Sequence, residues 1–270
     1  MTLQHAIAAT RGVVRSSQLA AAHTAASTAF RGSSLAYFNG AFSPPTLAHA
    51  HIATSIIEQD TVDVDVLWLD VEPATQHKRK WMDETFDARV AMCDQMIADL
   101  DLRRCAGVGT LRSDLGNVRG SSIDLFRTLR ALVGPEGRVV WAVGADVIDG
   151  MRHWPEKAST FLVPGDTCDG LLVFVRGGYT EAHVHEVLDD ILPPDRKQLT
   201  VDMLPMPATL AAMSSRAARE SLVADRRLRP PGGDEASLMI PSIAELCRVD
   251  DTLLDVYADQ VESYRKGGSS

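Results

Sequence analysis

Strands that alternate with helices five or six times along the chain predict an α/β fold, a doubly wound parallel sheet with helices on both faces. Three observations carry this expectation. Apolar runs of strand length occur at 35–39, 138–143 and 171–175, and each ends at or just before a glycine. Each is followed by a segment with helical spacing. The run 138–143, RVVWAV, is continuous and apolar after its opening arginine, as parallel strands buried on both faces are.

The first unit, residues 35–58, is the clearest. Its apolar run stops at Gly40, which reaches backbone angles closed to other residues and lets another molecule approach the main chain. Pro44 and Pro45 stiffen the turn and lack N–H groups. Thr46 stands where a helix N-cap belongs, and Leu47, Ala50, His51, Ile52, Ser55 and Ile56 continue at helical spacing. His49 falls in the first helical turn, where unsatisfied N–H groups and the helix dipole attract anions. This combination suggests a phosphate site.

Residues 62–71 alternate as a second strand, interrupted by Asp63, Asp65 and Asp70 and ended by Glu72-Pro73. The cluster His77-Lys78-Arg79-Lys80-Trp81 follows, the densest basic stretch of the chain, ahead of a helix expected at 83–100. It reads either as a solvated surface loop or, because it follows a strand, as part of a site. Residues 103–109 give a weak third strand and 121–132 a helix opened by Ser121 or Ser122. After 138–143, Gly144-Ala145-Asp146 repeats the logic of the first unit, with a polar residue at a helix start. The strand at 171–175 ends in Arg176-Gly177-Gly178 and leads to a helix at 181–191. A short strand at 200–203 precedes helices at 214–224, 243–247 and 251–264, with a loop at 229–235 and a frayed end at 267–270. Ligands of such sheets bind beyond the carboxyl ends of strands, near the switch in strand order, and the candidate residues above all follow strands.

Composition narrows the function classes. At 270 residues and 45% hydrophobic the chain can bury a sizeable core. A net charge of −9 argues against nucleic-acid binding, so any phosphate chemistry needs a local positive site. The four cysteines lie far apart, which indicates neither a zinc site nor a disulfide framework and fits a reducing cytosol. No uncharged apolar run approaches the roughly 20 residues of a bilayer span. Residues 1–34 hold three arginines and no acid, the first acidic residue being Glu58. They read as an N-terminal Ala-rich helix over about residues 3–26, or as a transit peptide that would place the protein in mitochondria instead of the cytoplasm. The sequence leaves a homo-oligomer open.

A second element gives His49 its meaning. In MSSRAAR, residues 213–219, Ser214 and Ser215 begin a helix and Arg219 follows Ser215 by one turn on the same face. Hydroxyls, backbone N–H groups and a guanidinium there can receive phosphate oxygens. An anion between the two helix starts, with His49 on one and Arg219 on the other, would sit in a triphosphate clamp.

GAFSPPTLAH resembles the (H/T)xxH fingerprint of the nucleotidyltransferase superfamily, and MSSRAAR resembles its ISSTxxR signature. GADVIDGMRHW, residues 144–154, is similar to the segment with which nicotinamide or nicotinate mononucleotide adenylyltransferases bind the mononucleotide. The three blocks stand in family order. The resemblance implies a Rossmann-like nucleotidyltransferase domain over 35–264, a helical extension at 1–34 and a tail at 265–270. It implies transfer of AMP from ATP to nicotinamide or nicotinate mononucleotide, with Mg²⁺ held by phosphates and not by protein ligands. It assigns His49 to the α-phosphate with Thr46 in support. Gly40, Ala41 and Phe42 receive the nucleotide, and Ser214, Ser215, Arg216 and Arg219 the β- and γ-phosphates. On the mononucleotide side it assigns Lys78, Lys80, Gly144, Asp146, Trp154 and Arg176.

Two departures qualify the resemblance. Arg216 stands where the signature has Thr, and 109–112 lacks the aromatic residue common after the third strand. Two other readings therefore stay open. One is the same fold acting on another phosphorylated acceptor, as in pantetheine-phosphate adenylyltransferases or cytidylyltransferases. The other is a non-catalytic nucleotide-binding protein.

Overall fold

Six strands form one parallel sheet in the order β3-β2-β1-β4-β5-β6, so the chain winds outward from β1 and then, in its second half, outward the other way from β4. In this computed structural model the residues described are 30–59, 62–73, 84–114, 122–154, 156–194, 199–228 and 238–266. The strands are β1 (Ser34–Gly40), β2 (Val66–Val71), β3 (Ala106–Gly109), β4 (Arg138–Gly144), β5 (Gly170–Val175) and β6 (Thr200–Pro205). Between them run α1 (Leu47–Glu58), α2 (Phe86–Asp99), α3 (Leu111–Asp114), α4 (Ser122–Val133), α5 (Ala145–Gly150) and α6 (Glu181–Ile191). The chain closes with α7 (Ala208–Ala211), α8 (Ser215–Leu228), α9 (Pro241–Val249) and α10 (Asp251–Lys266).

The doubly wound expectation is met, and period-two alternation explains how. Ala36 and Phe38 of β1, with Leu67 and Leu69 of β2, point into a core closed by α1, α2, α8, α9 and α10. Leu35 and Tyr37, with Trp68, point the other way, onto α4, α5 and α6. Both faces are covered, which is why β1 and β4 carry almost no polar residue until their ends.

Strand limits differ from the expected ones where side chains take over backbone partners. The second strand starts at Val66 and not at 62, because the chain enters it through a turn in which the Asp65 carboxylate accepts the Ser34 backbone N–H at 2.8 Å. The third strand starts at Ala106, since the N–H groups of Cys105 and Ala106 both bond back to the Leu102 carbonyl. The expected N-terminal helix and the basic cluster at 77–81 lie outside the described residues. Among the described residues no helix is long and apolar enough to cross a membrane.

Candidate active site

The strand order reverses between β1 and β4, and a cavity of about 1120 Å³ opens there, lined from both strand ends. Of the residues singled out in the sequence, Gly40, Ala41, His49, Gly144, Trp154 and Arg176 form part of its wall. This is the crevice at which open α/β sheets bind ligands.

His49 occupies the third position of α1, and its ring turns back to the helix start. The Thr46 backbone N–H donates to Nδ1 at 3.0 Å, and the Thr46 hydroxyl lies 2.9 Å from the same nitrogen. In the neutral ring the proton therefore resides on Nε2. The ring packs against Phe42, with centroids 5.1 Å apart, and beyond it Phe38. Burial, reinforced by the Arg176 charge, pulls the His49 pKa down to about 4. His49 is thus a neutral N–H donor on the cavity wall.

The loop before it is held in an uncommon shape. Phe42 has φ of 43°, a conformation costly for a bulky side chain, and its ring is buried between Phe38 and His49. Arg89 of α2, fully buried, reaches under the loop and donates Nη1 to the carbonyls of Ala41 at 2.6 Å and Glu72 at 2.9 Å. One guanidinium thereby joins the ends of β1 and β2.

The second motif braces the same loop from behind. Ser214 caps α8 by accepting the Ala217 N–H at 3.1 Å. Ser215 Oγ donates to the Pro44 carbonyl at 2.8 Å, and Arg219, 5% exposed, donates Nη1 to the Ser43 carbonyl. Tyr264 of α10 accepts Arg219 Nη2 at 3.3 Å and lies under the Arg216 guanidinium at 4.7 Å. The two motifs meet as expected, but Ser214, Ser215, Arg216 and Arg219 stand outside the cavity wall. Thr46 and Phe42 likewise act on it through His49.

On the β4 side, Asp146 and Arg176 pair through two contacts of 3.4 Å. A Cβ at Gly144 would come within 2.3 Å of the Asp146 carboxylate, so glycine makes room for this pair. Trp154 is half-buried, its ring 6.1 Å from Phe161 and 6.3 Å from Trp141. Lys78 and Lys80 lie outside the described residues.

A polar chain that sequence reasoning missed crosses the floor. Trp141 Nε1 donates to Asn39 Oδ1 at 2.8 Å, and Asn39 Nδ2 to Glu72 Oε1 at 2.6 Å. Arg112 Nη1 donates to the same Glu72 oxygen at 2.8 Å. Buried Asp70 then accepts the backbone N–H groups of Leu111 and Arg112, at 2.6 and 3.2 Å, and the Tyr37 hydroxyl at 2.8 Å. Burial raises the Asp70 carboxyl to about 6 against the pull of these donors. Glu156 was missed too: its carboxylate accepts the Ser122 N–H at 2.6 Å and the Ile123 N–H at 3.3 Å.

No family model matches the chain. Over 125 residues it is 32% identical to a protein of Myxococcus xanthus named a probable nicotinate-nucleotide adenylyltransferase, covering 45% of this chain and 60% of that one. Over 162 residues it is 24% identical to an Agrobacterium fabrum protein of the same name, covering 55% and 79%. The chain therefore matches less than two thirds of the length of the first relative. Its fold is that of the Plasmodium falciparum nicotinic acid mononucleotide adenylyltransferase. The structure complexed with APC superimposes with a TM-score of 0.55 at 16% identity, over 86% of this chain and 98% of that one. The structure complexed with NaAD gives 0.57 at 15%, over 80% and 94%.

Proposed function

We propose that this chain moves AMP from ATP to the 5′-phosphate of nicotinamide or nicotinate mononucleotide, releasing pyrophosphate and forming NAD or its deamido form. The observation that carries this reading is the Thr46–His49 arrangement, an N–H donor of fixed tautomer on the wall of a switch-point cavity. The names of the sequence relatives support the same chemistry.

An oxygen of the acceptor phosphate attacks the α-phosphorus of ATP, and the bond from that phosphorus to the pyrophosphate oxygen breaks. No covalent bond to the protein is needed. The chain contributes alignment and stabilisation of charge on the α-phosphate. His49 donates Nε2–H to an α-phosphate oxygen and stays neutral throughout. Gly40 and Ala41 let the triphosphate lie against the main chain. Arg219 and the start of α8 hold the loop from behind, and Ser214, Ser215, Arg216 and Arg219 are assigned to the β- and γ-phosphates where these extend past the cavity wall. Mg²⁺ bound to the ATP phosphates would offset charge on the leaving pyrophosphate.

On the acceptor side Trp154 stacks on the pyridine ring and Asp146, oriented by Arg176, accepts from ribose hydroxyls. Lys78 and Lys80 are assigned to the mononucleotide phosphate. The test is incubation of pure protein with ATP, Mg²⁺ and either mononucleotide, following dinucleotide and pyrophosphate. Formation of both with one acceptor is expected, and no turnover with either overturns the proposal.

A further inference from the structure

The cavity has two chemically different ends. His49 belongs to the sheet face closed by α1 and α8, whereas Trp154 packs with Trp141 and Phe161 on the opposite face. Ser122 and Glu156 also line the cavity, and Phe126, one turn after Ser122, packs on the same Trp141 and Phe161 rings as Trp154. There the first turn of the twelve-residue helix α4 presents the N–H groups of Ser122 and Ile123, and the Glu156 carboxylate already takes both. A helix start that would otherwise attract a ligand anion is filled by an anion of the chain itself.

We infer that Glu156 is a specificity-determining residue, which makes this site select an acceptor whose pyridine ring bears a neutral carboxamide over one bearing a carboxylate. The inference rests on the function proposed above. A ring stacked on Trp154 brings its substituent to the wall that Glu156 occupies. A ring carboxylate meets a like charge there and finds both N–H groups taken, and like charges brought together in an interface oppose binding strongly. A carboxamide brings an NH₂ group that donates to the free lone pairs of Glu156. Of the arginines on the described cavity wall, each already has a carboxylate of the chain beside it, Arg112 with Glu72 and Arg176 with Asp146, so a ring carboxylate there would compete with that partner.

The experiment compares kcat and KM for nicotinamide and nicotinate mononucleotides, each at saturating ATP, on the wild type, Glu156→Gln and Glu156→Ala. Both acceptors are measured on the same preparation, so a partly unfolded variant leaves the ratio of the two kcat/KM values unaffected. The wild type is expected to favour the amide by about tenfold or more, mainly through KM. Glu156→Ala frees the α4 N–H groups and should lower the KM of the acid at least about tenfold while the KM of ATP stays put. Glu156→Gln, which keeps the shape without the charge, should move the ratio in the same direction. A wild type that prefers the acid, or two variants that keep the wild-type ratio, overturns the role of Glu156 while the transfer reaction stands. Absence of turnover with both acceptors removes the proposed function and this role together.

Discussion

The backbone N–H of Thr46 donates to Nδ1 of His49 across 3.0 Å, so the residue that begins the helix decides which ring nitrogen keeps its proton. The consequence is a fixed N–H donor, and in the proposed reaction its removal would take away transition-state stabilisation. His49→Ala is expected to lower kcat by about 10²- to 10³-fold, as loss of one oxyanion donor does. Steady-state kinetics check this, with circular dichroism to confirm the fold. Activity near the wild-type level would relocate the centre.

The pH dependence follows from the same ring. With a pKa near 4 in the folded chain, His49 stays neutral far below the ordinary histidine range, so its titration should leave no acid limb in kcat near pH 6.5. Folding stability responds too, because between pH 6.5 and about 4 the unfolded chain binds the His49 proton and the folded one does not. That contribution is complete above pH 6.5 and is lost as pH falls through the folded value. Asp70 acts in the opposite sense, since its raised carboxyl adds stability at low pH that is lost as pH rises through about 6. Urea unfolding at pH 7 and pH 5 should show the wild type losing more stability on acidification than His49→Gln.

Arg89 should matter more to stability than its distance from the surface suggests. Arg89→Met takes a fully buried donor away from the half-buried Ala41 and Glu72 carbonyls. A loss of about 2–6 kcal/mol is expected in chemical denaturation, from two carbonyls at about 1–3 kcal/mol each. A change under 1 kcal/mol would mean that water replaces the guanidinium.

Gly109 tests the packing beneath the floor. A Cβ there would lie 1.9 Å from Trp68 Nε1, an indole fully buried in the core. Gly109→Ala should cost about 1–3 kcal/mol by overpacking. Trp68→Phe, which removes the clashing atoms, should make the same change cheaper in a double-mutant cycle. Additive effects would contradict the clash.

Trp154→Ala should raise the KM of the mononucleotide by roughly tenfold, a stacking loss of about 1–3 kcal/mol, and leave the KM of ATP unchanged. An equal effect on both substrates would assign Trp154 to the shape of the cavity instead of the ring.

The fold was legible because its signals are local. Gly40, Thr46 and the apolar run of β4 each specify a strand end, a helix start or a buried strand from their own chemistry. The site was legible to the extent that its residues sit at such boundaries, as His49, Gly144 and Arg176 do. Arg89 left one trace, a charge on the apolar face of α2 beside Met92, Cys93 and Met96. Glu156 left none, because its partners are backbone N–H groups more than 30 residues away, and nothing in composition or spacing encodes that meeting. The role of α8 was half visible: the sequence brings it to the loop, but whether its side chains face the cavity or the loop's carbonyls depends on packing against Tyr264.

The braces on the Ser43 and Pro44 carbonyls come from residues 176 and 171 positions further along, and the Leu47 N–H at the start of α1 is taken by the Leu238 carbonyl. A ribosome makes this loop well before its supports, which follow 171 and 176 positions later. Nascent chains that stop before residue 215 would carry the whole first motif and still lack the shape that presents it. Competence to bind nucleotide should therefore wait for residues 215–219, and pulling down stalled chains of increasing length on immobilised ATP would show where that step falls.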